Sequence, residues 1–363
     1  MFDFIPVAIY TNVQYFIILG IILVILLYAM TGQLQNPSGL QSLNTFGWFF
    51  VVIFTLYMGL RQVHWVFGDT FNYNKAYQRL LEGQEITITK DYLFNYMMVF
   101  SSKFMSVNSF FLLVDVLYIV PVVLFSRKYF GSYWFIAFIM FAGSFSFWSY
   151  GVNGLRNGLG TALFILALYF YDRKWLMYLC LGMSYFMHAS LMIPIAAFIL
   201  SGLYKNPKIY LIIWVASIPL SLAGGSTWSN FFSSLGFAED RTQGYLTGGE
   251  EFMDQFSQTG FRWDFLIYSA SAVYIGWFFI FKKKITDPLY IHIFGVYCIT
   301  NAFWILVITA AFSNRFAYLS WFLMPVVFAY PMFRYKIWDN QYKTFSVILL
   351  LYFMFTFYMN VIK

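Results

Sequence analysis

The strongest constraint on this chain is a series of long apolar runs. Each is close to the roughly 20 residues that a helix needs to cross the hydrocarbon core of a bilayer. Only 10% of the 363 residues are charged and 61% are hydrophobic, whereas soluble domains carry about 25% charged residues. We predict membrane spans over residues 13–30, 45–60, 107–125, 133–150, 155–171, 209–223, 263–281, 289–312, 316–333 and 344–362.

No soluble fold of this size has an interior large enough to hide so much apolar surface. The composition therefore excludes a water-soluble enzyme, a disordered chain, a coiled coil and a nucleic-acid binder. Continuous runs of this length also argue against a β-barrel, whose strands alternate over about ten residues. We predict an all-α polytopic membrane protein with about 10–12 transmembrane helices.

Two segments fit this pattern less well. Residues 91–105 are rich in aromatic side chains but carry charges, which is typical of an interfacial or tilted amphipathic helix. Residues 175–202 are too long for one ordinary span and are interrupted near His188 and Pro194. We predict a broken or re-entrant pair of half-helices there, since non-spanning backbone is tolerated at membrane depth only inside protein or along a wet cavity. The alternative is that one neighbouring basic pair is not cytoplasmic.

Short basic loops set the orientation, because cytoplasmic loops are enriched in Lys and Arg. On this rule residues 151–156, 224–262 and 313–315 lie on the external side, and the mixed-charge loop at 62–91 is placed there too. No internal repeat or linker is visible, so residues 1–363 are expected to form one membrane-embedded domain. The loops assigned to the cytoplasm contain Arg127–Lys128, Arg173–Lys174, Lys205 with Lys208, Lys282–Lys284, and Arg334 with Lys336 and Lys343.

Four short polar clusters fall on the predicted external side, although they are far apart in sequence. Fixed cations together with a carboxylate and an imidazole suit an anionic lipid headgroup. The clusters are Gly59–Arg61 with Gly68, Asp69 and Tyr73; Asn153–Asn157 around Arg156; Met187–Ser190 around His188; and Ser313–Phe316, which includes Asn314 and Arg315.

The residue types suggest separate roles. Arg61, Arg156 and Arg315 carry planar guanidinium groups that pair with phosphate, although interfacial arginines also snorkel to lipid headgroups. Asp69 can accept or orient the proton of a sugar hydroxyl, or be an ordinary turn residue. His188 can exchange a proton with substrate, or be a hydrogen-bonded core histidine.

Other sequence features narrow the chemistry. The histidines are scattered, with no ligand spacing for zinc, and no phosphate-binding glycine loop is present. We predict no metal and no cofactor. In the long external loop, Tyr245 and Phe252 can gate or stack on a saccharide, and Arg262 at its end is a further candidate for substrate binding; a disordered acidic loop is the alternative reading.

At these clusters the chain resembles the EpsG-type family of exopolysaccharide biosynthesis proteins, which are Wzy-like (O-antigen) polysaccharide polymerases. The resemblance runs from about residue 45 to 330. The matching features are Gly-Leu-Arg at 59–61, Gly-Asp at 68–69, Tyr73, an Arg that opens a helix at 156, Phe-Met-His-Ala-Ser at 186–190, and Arg315 at the start of a late span.

The resemblance implies a GT-C-like, metal-independent glycosyltransferase of the bacterial inner membrane whose active site faces the exterior. Its donor and acceptor would be oligosaccharides linked to undecaprenyl diphosphate, and a chain-length regulator is a possible partner beside the membrane lipids. Arg61, Arg156 and Arg315 would engage the diphosphate, while Asp69 and His188 would handle the acceptor. A glycan ligase, a lipid-linked oligosaccharide flippase or exporter, and an acyltransferase built on His188 stay open as alternatives.

Overall fold

The computed structural model describes residues 2, 4–232, 260–310 and 313–363, and no strand occurs among them. The all-α polytopic class is confirmed. The helices are α1 Val7–Met30, α2 Pro37–Gly59, α3 Thr70–Leu81, α4 Tyr92–Ser102, α5 Val107–Phe130, α6 Trp134–Ala142, α7 Phe147–Val152, α8 Leu155–Tyr169, α9 Lys174–Met187, α10 Met192–Leu203, α11 Pro207–Gly224, α12 Ser226–Phe232, α13 Trp263–Trp277, α14 Pro288–Leu306, α15 Ser313–Trp321, α16 Met324–Arg334 and α17 Gln341–Phe357.

Within the described residues, eight helical stretches are long and apolar enough to cross a membrane. Leu155–Tyr169 and Ala189–Leu203 are apolar but shorter. A total of ten to twelve spans therefore stays a prediction. The eight are Val7–Met30, Pro37–Gly59, Val107–Ala142, Pro207–Gly224, Trp263–Lys282, Pro288–Leu306, Ser313–Arg334 and Gln341–Ile362.

Three predicted runs are interrupted in the structure. The run at 133–150 separates into α6 and α7 around Gly143–Ser146, where glycine and serine are poor helix formers. The run at 316–333 is divided by a turn after Trp321. In the 175–202 segment, α9 ends at Met187, and the next residue, His188, has an extended backbone with φ −157° and ψ 126°. The predicted break at His188 is therefore present.

The chain divides into two compact units, Met1–Leu191 together with Met332–Lys363, and Met192–Pro331. In the first unit, α5 packs against α2, α6 and α8, while α8 also packs against α9 and α1 packs against α17. The loops that join α2 to α5 meet the turn between α7 and α8 at one end of this unit. A single membrane domain over residues 1–363 stays a prediction.

The second unit is organised around α14, which packs against α10, α11 and α15. Its centre is polar: the buried Asn301 amide accepts a hydrogen bond from Trp214 Nε1 (2.7 Å) and donates to Ser320 Oγ (2.9 Å) and Ser269 Oγ (3.2 Å). Every polar atom of that side chain therefore has a partner, as burial requires. The predicted external loop at 224–262, with Tyr245 and Phe252, lies largely at 233–259, outside the described residues.

Large apolar side chains remain exposed along several long helices. They include Phe16 and Leu27 on α1, Phe49 on α2, and Ile212 on α11. In water such surfaces would favour aggregation, whereas lipid tails cover them at no cost. This distribution agrees with the assignment of these helices as membrane spans.

Gly59 permits close packing of α2 on α5. A Cβ atom there would lie 2.7 Å from Leu112 Cα, whereas nothing lies within 4 Å of a Cβ at Gly20 in α1. We expect Gly59→Ala to lower the free energy of unfolding by about 1–3 kcal/mol through overpacking. Gly20→Ala, the same change in an open position, should leave the stability unchanged or slightly raised. Thermal unfolding in detergent measures both, and equal melting temperatures would refute the close-packing argument.

Candidate functional site

The innermost part of the site is an ion pair between Arg61 and Asp115. Their helices approach closely at Gly59, so Arg61, just beyond the end of α2, reaches the carboxylate in the middle of α5. Arg61 Nη1 lies 3.0 Å from Asp115 Oδ2, and both side chains are fully buried. The same nitrogen donates to the Met58 carbonyl oxygen at 2.6 Å.

The other end of the guanidinium joins two further segments. Arg61 Nη2 donates to Thr70 Oγ1 (2.8 Å) and to the Val152 carbonyl oxygen (3.2 Å). The Thr70 hydroxyl donates to the same carbonyl. Arg61 therefore fixes the start of α3 and the end of α7 to the α2–α5 pair. These partners enclose the guanidinium, and a direct role of Arg61 in substrate binding stays a prediction.

A second contact joins the α2–α3 loop to the α7–α8 turn. Asn153 Oδ1 accepts a hydrogen bond from the Asp69 backbone N–H at 2.8 Å. Gly68 has φ +59°, and a Cβ there would lie 2.4 Å from Asn153 Oδ1. Only glycine satisfies both the positive φ and the close approach. The Asp69 carboxylate, which accepts from Asn72 Nδ2 at 3.2 Å, is thereby held half-buried beside the turn that carries Arg156.

Arg156 lies in the first turn of α8, and its guanidinium is held from two sides. Nε donates to Tyr73 Oη at 2.9 Å, and Nη1 donates to Asp91 Oδ2. The Arg156 side chain is 22% exposed, whereas that of Asp91 is fully buried. Burial raises the pKa of Tyr73, so its hydroxyl keeps a proton while it accepts from Arg156. One edge of the cation is therefore anchored while part of it reaches the surface.

Asp91 also contacts the helix break at His188. Its Oδ1 lies 3.3 Å from His188 Nδ1 and 3.4 Å from the Ala189 backbone N–H. Ser190 Oγ donates to Asn157 Oδ1 at 2.9 Å, which ties the same break to α8. The sequence-distant residues Arg156 and His188 therefore meet at one carboxylate.

Opposing effects act on the charge of Asp91. Burial works to raise the pKa of this carboxyl, but the imidazole of His188, the charge of Arg156 and the backbone N–H of Ala189 together outweigh it and lower the pKa. Asp91 is consequently ionised at any pH at which the protein works, and Arg156 has an anionic partner.

Two residues of the site were missed by the sequence reasoning. Asp115 is the single charged residue of the run at 107–125, and an ionisable residue inside a span is by default a functional or paired residue. That signal was available. Asp91 had no comparable signal, because it precedes an aromatic-rich helix in a loop of mixed charge.

The remaining candidates belong to the second unit. Arg262 pairs with Asp264 through Nε–Oδ1 (2.9 Å) and Nη2–Oδ2 (2.7 Å). Asn314 Nδ2 lies 3.5 Å from Tyr318 Oη, and Arg315 is exposed in the first turn of α15. A role for these three residues in substrate binding stays a prediction. Among the described residues, no group of three or more His, Cys, Asp and Glu side chains is arranged to hold a metal ion.

Comparison with known proteins decides the family. The family model for the EpsG family matches residues 44–363, which is most of the chain. The chain belongs to the EpsG family. This is a Wzy-like polysaccharide polymerase family, so the resemblance seen in the sequence is confirmed. No curated protein and no solved structure matches the chain.

The matched range of this EpsG family member contains all nine site residues predicted from sequence, together with Asp91 and Asp115. The chain is accordingly a membrane protein of the polysaccharide polymerase type.

The buried ion pair can be tested by removing its two charges separately and together. Arg61→Met leaves the Asp115 carboxylate buried without its cation, which should cost about 3–5 kcal/mol of stability. The double variant Arg61→Met/Asp115→Leu removes both charges and should recover much of that loss. Thermal unfolding in detergent is the measurement. Arg79→Met, at an exposed position on α3, is the control, and a double variant less stable than Arg61→Met would contradict the pairing.

Proposed function

We propose that this protein is an integral membrane glycosyltransferase that polymerises oligosaccharide repeat units linked to undecaprenyl diphosphate into a surface polysaccharide. The reaction is placed at the external face of the bacterial inner membrane. The observation that carries the proposal is the cluster of Arg156, Asp91 and His188, with Asp69 and Tyr73 beside it. This cluster offers a partly exposed cation, an imidazole and a second carboxylate at one end of the first unit.

Arg156 is the proposed binding group for the diphosphate. Its guanidinium keeps its charge at any relevant pH and presents planar N–H donors that match phosphate oxygens. Tyr73 and Asp91 hold it in place before substrate arrives. A preorganised cation stabilises the negative charge that develops on the leaving diphosphate, and in a partly dry site this contribution is large.

Asp69 and His188 are proposed to act on the acceptor sugar. Asp69 orients the attacking hydroxyl, and His188 accepts its proton as the oxygen bonds to C1 of the donor sugar. The bond from C1 to the diphosphate oxygen breaks, and its electron pair leaves with the diphosphate next to Arg156. Each turnover then yields a lengthened glycan on one lipid and a free undecaprenyl diphosphate.

The basic residues of the first unit support the proposed orientation. Lys128 Nζ lies 2.6 Å from Asp172 Oδ2 and 2.6 Å from the Tyr169 carbonyl oxygen, so the basic last turn of α5 and the turn after α8 meet at one end. The site loops lie at the opposite ends of α5 and α8. The positive-inside rule favours the cytoplasm for the first end, which supports a site that faces the exterior.

The proposal also includes further substrate-binding residues, the architecture and the partners of the protein. Arg315, Asn314 and Arg262 are proposed to contribute to substrate binding, as are Tyr73 and Asn153, and Arg61 is proposed to position the loops that carry Asp69 and Arg156. A GT-C-like architecture, independence from metal, contact with membrane lipids and a chain-length regulator as partner complete the proposal.

Loss of the Arg156 guanidinium should stop polymerisation while the protein remains in the membrane. We expect Arg156→Ala to lower chain extension by at least about 10²-fold, the usual cost of one preorganised charge-stabilising group. In a gel of lipid-linked glycans, single repeat units should accumulate on the carrier lipid. Arg79→Ala, an exposed arginine on α3, is the matched control and should give normal ladders. Normal polymer length in Arg156→Ala would contradict the site.

The same gel separates a ligase from a polymerase, because loss of a ligase leaves long glycans on the carrier lipid. Loss of a flippase also leaves single repeat units, but on the cytoplasmic side, where a membrane-impermeant reagent cannot reach them in intact cells. Arg315→Ala, run alongside, tests the arginine of the second unit, and we expect the same accumulation of single repeats as for Arg156→Ala.

The orientation can be tested with single cysteines. The two native cysteines, Cys180 and Cys298, are buried, so labelling of the unaltered protein should be low. We expect Glu82→Cys, after α3, to react with a membrane-impermeant maleimide in intact cells. Arg173→Cys, after α8, should react only after the membrane is opened. The reverse pattern would place the site in the cytoplasm.

A further inference from the structure

The carboxylate of Asp91 holds the two proposed reactive groups of the site at once. Its Oδ2 accepts from Arg156 Nη1, and its Oδ1 lies 3.3 Å from His188 Nδ1. Asp91 itself is 3% exposed. Because protein encloses it, this carboxylate cannot reach a sugar or a diphosphate directly, and any effect on the reaction passes through its neighbours.

The position of Asp91 is fixed by the backbone around it. Its φ of +50° lies in the left-handed region, where Asp is one of the few tolerated side chains. Asn95 Nδ2 donates to the carbonyl oxygens of Lys90 (2.8 Å) and Asp91 (3.3 Å), which holds the turn against the start of α4. The Ala189 backbone N–H donates to Oδ1 at 3.4 Å, which joins the turn to the helix break.

An ionised carboxylate can only accept hydrogen bonds. The nitrogen of a neutral imidazole that faces it must therefore carry the proton, and the other nitrogen is the basic one. In His188 the nitrogen nearest the carboxylate is Nδ1, at 3.3 Å from Oδ1, although the ring is not aligned for a hydrogen bond. The preference is therefore electrostatic: a lone pair on Nδ1 would face the negative charge, so the proton is assigned to Nδ1 and the basic lone pair to Nε2. A carboxylate that selects the tautomer in this way also orients the ring and stabilises the cation formed when Nε2 takes up a proton.

We propose that Asp91 is a positioning residue of the polymerase site, which holds neutral His188 as the Nδ1–H tautomer so that Nε2 accepts the proton of the acceptor hydroxyl. This deepens the proposed function and rests on it for the identity of the proton donor. Arg156 contributes by holding the carboxylate from its other side.

The other two histidines provide internal references. The chain has 3 His. His64 Nδ1 accepts a hydrogen bond from the Val66 backbone N–H at 3.3 Å, so its proton lies on Nε2. His292 Nε2 lies 2.7 Å from the Phe198 carbonyl oxygen, which can only accept, so this proton also lies on Nε2. The structure thus assigns one Nδ1–H histidine and two Nε2–H histidines.

The test is ¹⁵N NMR of the full-length protein labelled with ¹⁵N-histidine in lipid nanodiscs, at a pH above about 8, where imidazoles are neutral. His64→Gln and His292→Gln assign the signals. We expect His188 as the Nδ1–H form in the unaltered protein and as the Nε2–H form in Asp91→Ala. The other two signals should not move, and Glu82→Ala, which removes an exposed carboxylate, should leave all three unchanged.

The spectrum of the unaltered protein is sufficient to identify the tautomer of His188. The proposal can therefore be tested even if the Asp91→Ala variant does not fold. An Nε2–H signal for His188 would overturn it, as would an unchanged His188 signal in folded Asp91→Ala. The spectra are recorded without substrate, so their result does not depend on whether the protein is a polymerase.

In the polymerisation assay, Asp91→Ala should lower kcat by at least about 10²-fold with a smaller change in KM. A wild-type kcat would overturn the positioning role.

Discussion

Removing a guanidinium or a carboxylate from water costs several kcal/mol, and attraction between the two offsets this only when the geometry is good and the remaining donors are satisfied. Arg61 and Asp115 meet in a fully buried contact, and the same guanidinium reaches Thr70 and the Val152 carbonyl oxygen. Four segments of the chain therefore share one centre. The placement of Asp69 and Arg156 follows from that centre, because Asp69 directly precedes Thr70 and Arg156 follows Val152 by about one helical turn.

The site is thus arranged in two layers with different tasks. The inner layer is closed to solvent and fixes the loops, while the outer layer contains the partly exposed Arg156 and His188. Asp91 connects the α3–α4 loop to both of these groups and remains ionised in spite of its burial. Such separation suits the proposed binding of a charged lipid, since the groups that contact the lipid must be accessible without losing their geometry.

Much of this could be read from the sequence, because a bilayer imposes simple rules on length and charge. The apolar runs located the long helices, and the polar residues at their ends identified Asp69, Asn153, Arg156 and His188 as neighbours. The sequence could not distinguish an exposed arginine from an enclosed one, so the burial of Arg61 was not predicted. Asp91 was not predicted as a site residue. Its contacts form only where the turn at residue 91, the start of α8 and the helix break at His188 meet in the folded chain.

The left-handed turn at residue 91 has an evolutionary consequence. Asparagine tolerates this backbone conformation as well as aspartate does and has nearly the same shape. A lineage that drifted to asparagine would retain the turn but lose the negative charge at the centre of the cluster, and its amide nitrogen, a donor, could not replace the carboxylate oxygen that it displaces. On the proposed role of Asp91, a family member without activity would then be distinguished by a single side-chain amide rather than by a change in architecture.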